Sequence, residues 1–180
     1  IDMGINYIDT ARYYRDGYSE ERIGEATAGI RQNLVILSKS PNRTGKIIED
    51  VEKSLKALRT DYIDIYCFHS LDKEDDWEKV LGPDGAMDAL KKAQQEGKIG
   101  YIGLSGHRSD FLTKCISTGE LDVIITPFNF VFDDALHDLI PKAKELNVGF
   151  VGIKPFAGCF IQYAELSLRW ILEQDIDVTV

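Results

Sequence analysis

The sequence predicts an α/β fold, and within that class a (β/α)8 TIM barrel, from two observations. Short apolar runs rich in β-branched residues alternate with longer amphipathic runs along the whole chain. Polar residues directly follow or end several of the apolar runs, as at Asp9, Lys39, His69 and Ser105. The functional groups of a parallel barrel collect at the carboxyl ends of its strands, so both observations favour a barrel.

Seven short segments are predicted as strands because they are apolar and rich in β-branched or aromatic residues. They are residues 7–9, 35–39, 62–69, 100–105, 122–128, 149–155 and 177–180. Amphipathic helices are expected between them, from residue 19 onward and over 44–58, 85–96, 134–146 and 163–173. The acidic run at 72–78 is expected to be a loop with solvated charges. This alternation implies right-handed crossovers and a parallel sheet covered by helices.

The alternative architecture is a doubly wound open sheet. Such a sheet usually carries a glycine-rich turn after its first strand, and the residues after Asp9 do not form one. A barrel fits better, but it typically needs about 250 residues and eight strands. We therefore expect one barrel domain over residues 1–180 whose first strand and C-terminal part are missing, with residues 1–4 ending a helix.

Composition limits the class of protein further. A formal net charge of −9 disfavours a nucleic-acid-binding surface, which needs a basic stripe. No apolar run approaches the roughly 20 residues that span a membrane, so a cytoplasmic location without membrane attachment is expected. Three widely spaced cysteines favour reduced thiols. Cys67 and His69 could form half of a zinc site, but no second ligand pair follows at metal-site spacing.

Four polar side chains are expected to converge at the carboxyl ends of three consecutive strands: Asp9, Tyr14, Lys39 and His69. Lys39 follows an apolar run, so its ammonium needs an anionic partner, which Asp9 on the adjacent strand can supply. A nearby ammonium stabilises a phenolate, so Tyr14 becomes a candidate proton donor or acceptor. His69 is placed to orient a carbonyl oxygen.

Four motifs in this order resemble the aldo-keto reductases. The motifs are Asp9-Thr-Ala-x-x-Tyr14 followed by Ser19-Glu20, then Ile36-Leu-Ser-Lys39, the strand from Asp61 to His69, and the segment from Gly97 to Ser105. The resemblance implies an NAD(P)H-dependent reductase of a small aldehyde or ketone. It assigns Tyr14 as proton donor, Lys39 and Asp9 as its supporting pair, His69 to the substrate oxygen, and Ser105 to the cofactor amide.

Three positions depart from the family pattern on the cofactor side. Gly106 and His107 follow Ser105 where many members have asparagine and phenylalanine, Ile125 replaces a common glutamine, and Ile153 stands where a tyrosine usually stacks on the nicotinamide. We expect Ser105, Gly106 and Lys154 to bind the cofactor, with the substrate as the alternative partner of Lys154. NADP is favoured over NAD by its frequency in the family. His107 is expected either at the edge of a pocket or in an exposed loop.

The resemblance also points to a bacterial or archaeal subgroup that often carries a C-terminal iron-sulfur domain. An iron-sulfur cluster is therefore expected only if a further domain exists outside this chain. Two other functions stay open: a nicotinamide-sensing regulatory subunit with little turnover, and a metal-dependent lyase or hydrolase. The absence of clustered carboxylates at the strand ends disfavours the second. The oligomeric state is left undetermined.

Overall fold

The computed structural model describes residues 3–180, which divide into two compact units. Unit 1 contains the described residues up to 69 together with 75–102, and unit 2 contains residues 70–74 and 103–180. The helix end predicted at residues 1–4 falls partly on residues 1 and 2, which lie outside the described residues. The expectation of one barrel domain over residues 1–180 stays a prediction.

Unit 1 is built on a parallel sheet whose strands follow the chain order. Its strands are β1 (Tyr7–Asp9), β2 (Val35–Ser40), β3 (Ile63–Phe68) and the first residues of β4 (Ile99–Ser105). Leu37 of β2 lies opposite both Asp9 and Ile65, and Lys39 lies opposite Cys67. This register brings Asp9 and Lys39 to the carboxyl ends of neighbouring strands.

Four helices are associated with unit 1, and each buries part of its surface. They are α1 (Tyr18–Ala26), α2 (Ile47–Leu58), α3 (Glu74–Leu81) and α4 (Ala86–Gln95). In α2, Ile47, Val51, Leu55 and Leu58 are buried at helical spacing, as the sequence pattern predicts. Helices α1 and α2 approach so closely that a β-carbon on Gly24 would lie 2.5 Å from the carbonyl oxygen of Ala57.

The prediction of a loop over residues 72–78 is wrong from residue 74 onward, because α3 begins at Glu74. This acidic run contains two apolar side chains three positions apart, Trp77 and Val80, and both are buried. The Trp77 ring meets the Phe68 ring edge-on, with 6.3 Å between centroids. Burial of these two side chains stabilises the helix despite its acidic composition, and it places Trp77 in the core.

Unit 2 continues with the carboxyl end of β4 and three further parallel strands, β5 (Val123–Pro127), β6 (Gly149–Ile153) and β7 (Val178–Thr179). Its helices are α5 (Ser109–Ile116), α6 (Leu139–Glu145) and α7 (Ala164–Leu172). Helix α5 was not predicted. The helix expected over 134–146 divides into a 3-10 turn and α6, whose first turn accommodates Pro141 because that position needs no amide donor.

The core of unit 2 is centred on Phe128. Its ring contacts those of Phe150 and Trp170, with centroids 5.6 and 5.3 Å away.

All seven predicted strands are present, each within two residues of its expected ends. Within residues 3–180, no helix is both long and apolar enough to cross a bilayer.

Candidate active site

A buried ion pair joins the ends of β1 and β2. Lys39 Nζ donates to Asp9 Oδ1 at 2.5 Å and to the backbone oxygen of Thr10 at 2.8 Å. The Lys39 side chain is 2% exposed and that of Asp9 is 11% exposed. An ammonium in this position requires a fixed acceptor shell, because burying an unpaired charge is costly. The structure therefore contains the predicted ion pair between Asp9 and Lys39.

Burial and the neighbouring Lys39 shift the pKa of Asp9 in opposite directions. Burial raises the pKa of Asp9, and the charge of Lys39 and its hydrogen bond oppose part of that rise. The second carboxylate oxygen, Oδ2, is buried and has no hydrogen-bond partner. The contacts of Asp9 that favour its ionised form come mainly from Lys39, so removal of the ammonium would leave a desolvated carboxylate with little other support.

Tyr14 lies in the 3-10 turn Tyr14–Gly17 that follows β1, and 42% of it is exposed. The Lys39 ammonium lies 5.5 Å from the centroid of the Tyr14 ring. The His69 ring meets that of Tyr14 edge-on, with 5.6 Å between centroids and 75° between planes. Unit 1 thus brings Asp9, Tyr14, Lys39 and His69 together, with an accessible phenol beside a buried ammonium.

The turn that carries Tyr14 is an unusual piece of backbone. Arg15 and Asp16 both adopt left-handed conformations, with φ of 49° and 55°, and Gly17 follows at 93°. Such conformations persist in residues other than glycine only where the surroundings hold them. Here the amide of Tyr14 donates to the oxygen of Ala11 at 3.1 Å. The phenol is therefore placed by backbone geometry as well as by side-chain contacts.

Unit 2 contains the three residues predicted to bind a cofactor. Ser105 is 5% exposed, and its Oγ accepts a hydrogen bond from the amide of Ser70 at 3.0 Å. The hydroxyl hydrogen of Ser105 remains able to donate to a ligand. Gly106 is needed for close packing, since an added β-carbon would lie 2.6 Å from the oxygen of Leu71.

Lys154 and His107 form a polar cluster with Asp72. Asp72 binds both the His107 amide, at 2.5 Å, and the Nδ1 of its ring, at 2.9 Å. Lys154 Nζ lies 3.4 Å from Nε2 of the same ring. The three side chains therefore form one continuous series of polar contacts from a carboxylate through an imidazole to an ammonium.

A pocket of about 170 Å³ lies beside this cluster, lined among others by His107, Ser109, Thr126 and Lys154. His107 is therefore at a pocket edge, one of the two places expected for it.

Asp72 was missed by the sequence reasoning, which assigned the acidic run around it to a solvated loop. Ile125, where the family pattern has glutamine, is fully buried. No grouping of three potential metal ligands occurs among residues 3–180.

Comparisons with known proteins agree on one family. The sequence profile described as Aldo/keto reductase family matches residues 1–173. The uncharacterized oxidoreductase YqkF of Bacillus subtilis is 31% identical over 170 residues, which cover 87% of this chain and 53% of that protein. The aldo-keto reductase YhdN of the same organism is 32% identical over 81% of this chain and 46% of its own length. The chain spans about half the length of these curated relatives.

Solved structures give the same result for the fold. A putative aldo-keto reductase from Pseudomonas aeruginosa has a TM-score of 0.82 and 29% identity over 99% of this chain and 70% of that chain. An aldo/keto reductase from Klebsiella pneumoniae, solved with NADP and acetate, has a TM-score of 0.83 at 23% identity over the same shares of the two chains. The second likeness concerns the fold alone. The predicted (β/α)8 barrel class is confirmed.

Proposed function

We propose that this chain, which belongs to the aldo/keto reductase family, reduces an aldehyde or ketone in an NAD(P)H-dependent reaction with Tyr14 as the proton donor. The observation that carries the proposal is the position of the Tyr14 ring, in contact with His69 and 5.5 Å from the Lys39 ammonium. This arrangement places an accessible phenol next to a buried positive charge. A carbonyl oxygen that gains negative charge needs such a donor.

Each polar group has a distinct part in the proton transfer. Tyr14 donates its hydroxyl proton to the carbonyl oxygen as that oxygen becomes an alkoxide. Lys39 stabilises the phenolate that Tyr14 becomes, and a fixed ammonium in a low-dielectric setting does so without reorganisation. Asp9 keeps Lys39 in place through the 2.5 Å contact. His69, on the edge of the Tyr14 ring, binds the substrate oxygen and orients the carbonyl.

The residues of unit 2 fit a nicotinamide cofactor, which would supply the hydride. Ser105 offers a nearly buried hydroxyl with a donor hydrogen still available, suited to a carboxamide oxygen. Lys154 carries an ammonium that lies 3.4 Å from one His107 ring nitrogen, and because an ammonium has three donor hydrogens, donors remain for a phosphate. Gly106 contributes by permitting the close backbone packing next to Ser105, because it has no β-carbon to meet the backbone oxygen of Leu71. Family frequency favours NADP over NAD.

The proposal is tested with Tyr14→Phe and a matched control, Tyr13→Phe. Both tyrosines are exposed and adjacent, so the two variants remove the same hydroxyl from neighbouring positions. Loss of general acid catalysis typically costs 10²–10⁴-fold, so we expect kcat to fall by about that factor in Tyr14→Phe alone. Turnover is followed by the loss of nicotinamide absorbance with a panel of aldehydes, ketones and quinones. Full activity in Tyr14→Phe would refute the assigned role.

The regulatory alternative predicts a different pair of results. A sensor binds NADPH, detected by quenching of protein fluorescence, without consuming it in the presence of any carbonyl compound in the panel. A reductase both binds and consumes the cofactor. The same preparation therefore distinguishes the two functions in one experiment.

A further inference from the structure

A second ion pair, outside the four predicted catalytic residues, contacts the turn that carries Tyr14. Glu20 of α1 is fully buried. Its Oε2 accepts a hydrogen bond from Arg12 Nη1 at 2.5 Å, and its Oε1 accepts one from Ser38 Oγ at 2.6 Å. The Arg12 side chain is 15% exposed. Both oxygens of a buried carboxylate are therefore committed to partners on two different segments.

Those two segments are the ones that must be aligned for proton transfer. Ser38 directly precedes Lys39 on β2, whereas Arg12 lies two positions before Tyr14. The other terminal nitrogen of Arg12, Nη2, donates to the backbone oxygen of Asp16 at 3.0 Å, two positions after Tyr14. Arg12 thus holds the Tyr14 turn from both sides, and Glu20 ties it to the strand that carries Lys39.

The glycine at the end of the turn supports this interpretation. A β-carbon at Gly17 would lie 1.5 Å from Arg12 Nη2, so the guanidinium occupies the space that only glycine leaves. The left-handed backbone of Arg15 and Asp16 also requires fixed surroundings. A buried ion pair is by itself weak evidence of added stability, because apolar residues of similar volume often stabilise a protein as much.

We propose that Arg12, Glu20 and Ser38 form a positioning clamp that fixes the Tyr14 phenol relative to the Lys39 ammonium. The inference rests on the proposed function of Tyr14 as proton donor. None of the three residues touches the reacting atoms in this scheme. They act through the placement of Tyr14, so their loss slows the proton-transfer step and leaves cofactor binding unchanged.

The main variant is Glu20→Gln, which keeps the shape of the side chain and removes its charge. Its matched control is Glu25→Gln on the same helix, where the carboxylate is 42% exposed and pairs with Arg22. Misplacement of a catalytic group by about 1 Å can cost roughly 100-fold, so we expect kcat to fall at least about tenfold in Glu20→Gln. The control and the Kd for NADPH should change less than about twofold.

A double-mutant cycle with Tyr14→Phe separates positioning from general structural damage. If Glu20 acts through the phenol, Glu20→Gln costs nothing further when the phenol is already absent. An equal fold-loss in both backgrounds would overturn the proposal, as would an unchanged kcat in the single variant. If Glu20→Gln does not fold, Ser38→Ala, which removes one hydrogen bond of the clamp, takes its place in the same cycle.

A measurement independent of activity keeps the clamp testable if the proposed function fails. Amide hydrogen exchange of the peptide over residues 10–18 should accelerate at least about tenfold in Glu20→Gln and stay unchanged in Glu25→Gln. Absence of carbonyl reduction in the wild type with this acceleration present would refute the function and leave the mechanical clamp standing. Unchanged exchange in Glu20→Gln would overturn the clamp itself.

Discussion

Replacing Lys39 with methionine tests the physical basis of the site most directly. Methionine has nearly the length of lysine without its charge, so the substitution removes the ammonium while filling much of its volume. Asp9 then stays 11% exposed with both oxygens deprived of a cation, since Oδ2 already has no partner. The cost should appear as lost stability of unit 1, separately from any effect on catalysis.

The size of the loss follows from the geometry. Two unit charges separated by 2.5 Å attract by about 7 kcal/mol at an effective dielectric constant near 20. Desolvation of both ions offsets part of this attraction, and breaking one partner of a buried pair costs about 3–5 kcal/mol in practice. We expect that loss in Lys39→Met near pH 8. Asp9→Asn in the same protein should restore most of it, because no unpaired charge then remains.

The loss should depend on pH in a defined direction. Burial raises the pKa of Asp9 above its usual value, so the folded protein binds this proton more tightly than the unfolded chain does. The contribution of Asp9 to the free energy of unfolding is therefore greatest below its unfolded pKa and falls as pH rises through its folded pKa. Removing Lys39 raises the folded pKa further, so Lys39→Met should regain stability on acidification relative to wild type.

The chain offers a clean reporter for this measurement. Of its two tryptophans, Trp77 lies in unit 1 and Trp170 in unit 2. In a Trp170→Phe background, urea unfolding followed by fluorescence reports on unit 1 alone. A loss below about 1 kcal/mol at pH 8, or a loss that Asp9→Asn does not relieve, would show that the pair is not the buried charge couple described above.

Three further outcomes are expected. Gly24→Ala should lower the free energy of unfolding by about 1–3 kcal/mol in urea titrations despite the better helix propensity of alanine, because its β-carbon would meet a backbone oxygen of α2 at 2.5 Å. A thiol reagent at pH 8 should modify exposed Cys159 quickly and leave buried Cys115 unmodified until the protein unfolds. The reason is that burial raises the pKa of Cys115 to about 12. Equal rates of modification at the two cysteines would contradict this expectation. Gly106→Ala should destabilise unit 2 by about 1–3 kcal/mol, because the added β-carbon would lie too close to the backbone oxygen of Leu71. Unfolding is followed by Trp170 fluorescence, and wild-type stability of the variant would show that the backbone there can shift.

Much of the candidate site was predictable because its signals are local. The strands ending at Asp9 and Lys39 are short apolar runs, and a parallel sheet brings their ends together whatever the details of packing. Spacing from β1 placed Tyr14 at the same end. The helix at Glu74–Leu81 and the role of Asp72 were missed for the opposite reason: an acidic run resembles a solvated loop until the burial of Trp77 and the contacts of His107 are known.

The sequence by itself determined the seven strands, most of the helices between them, the family, and the identity of the four polar residues at or just beyond the strand ends. Only the tertiary structure decided how Tyr14 is held. The pairing of Glu20 with Arg12 and Ser38 joins residues up to 18 positions apart, and nothing in their spacing distinguishes a buried carboxylate from an exposed one such as Glu25. Burial is a property of the folded surroundings, and burial is what turns an ordinary glutamate into a fixed support for the Tyr14 turn.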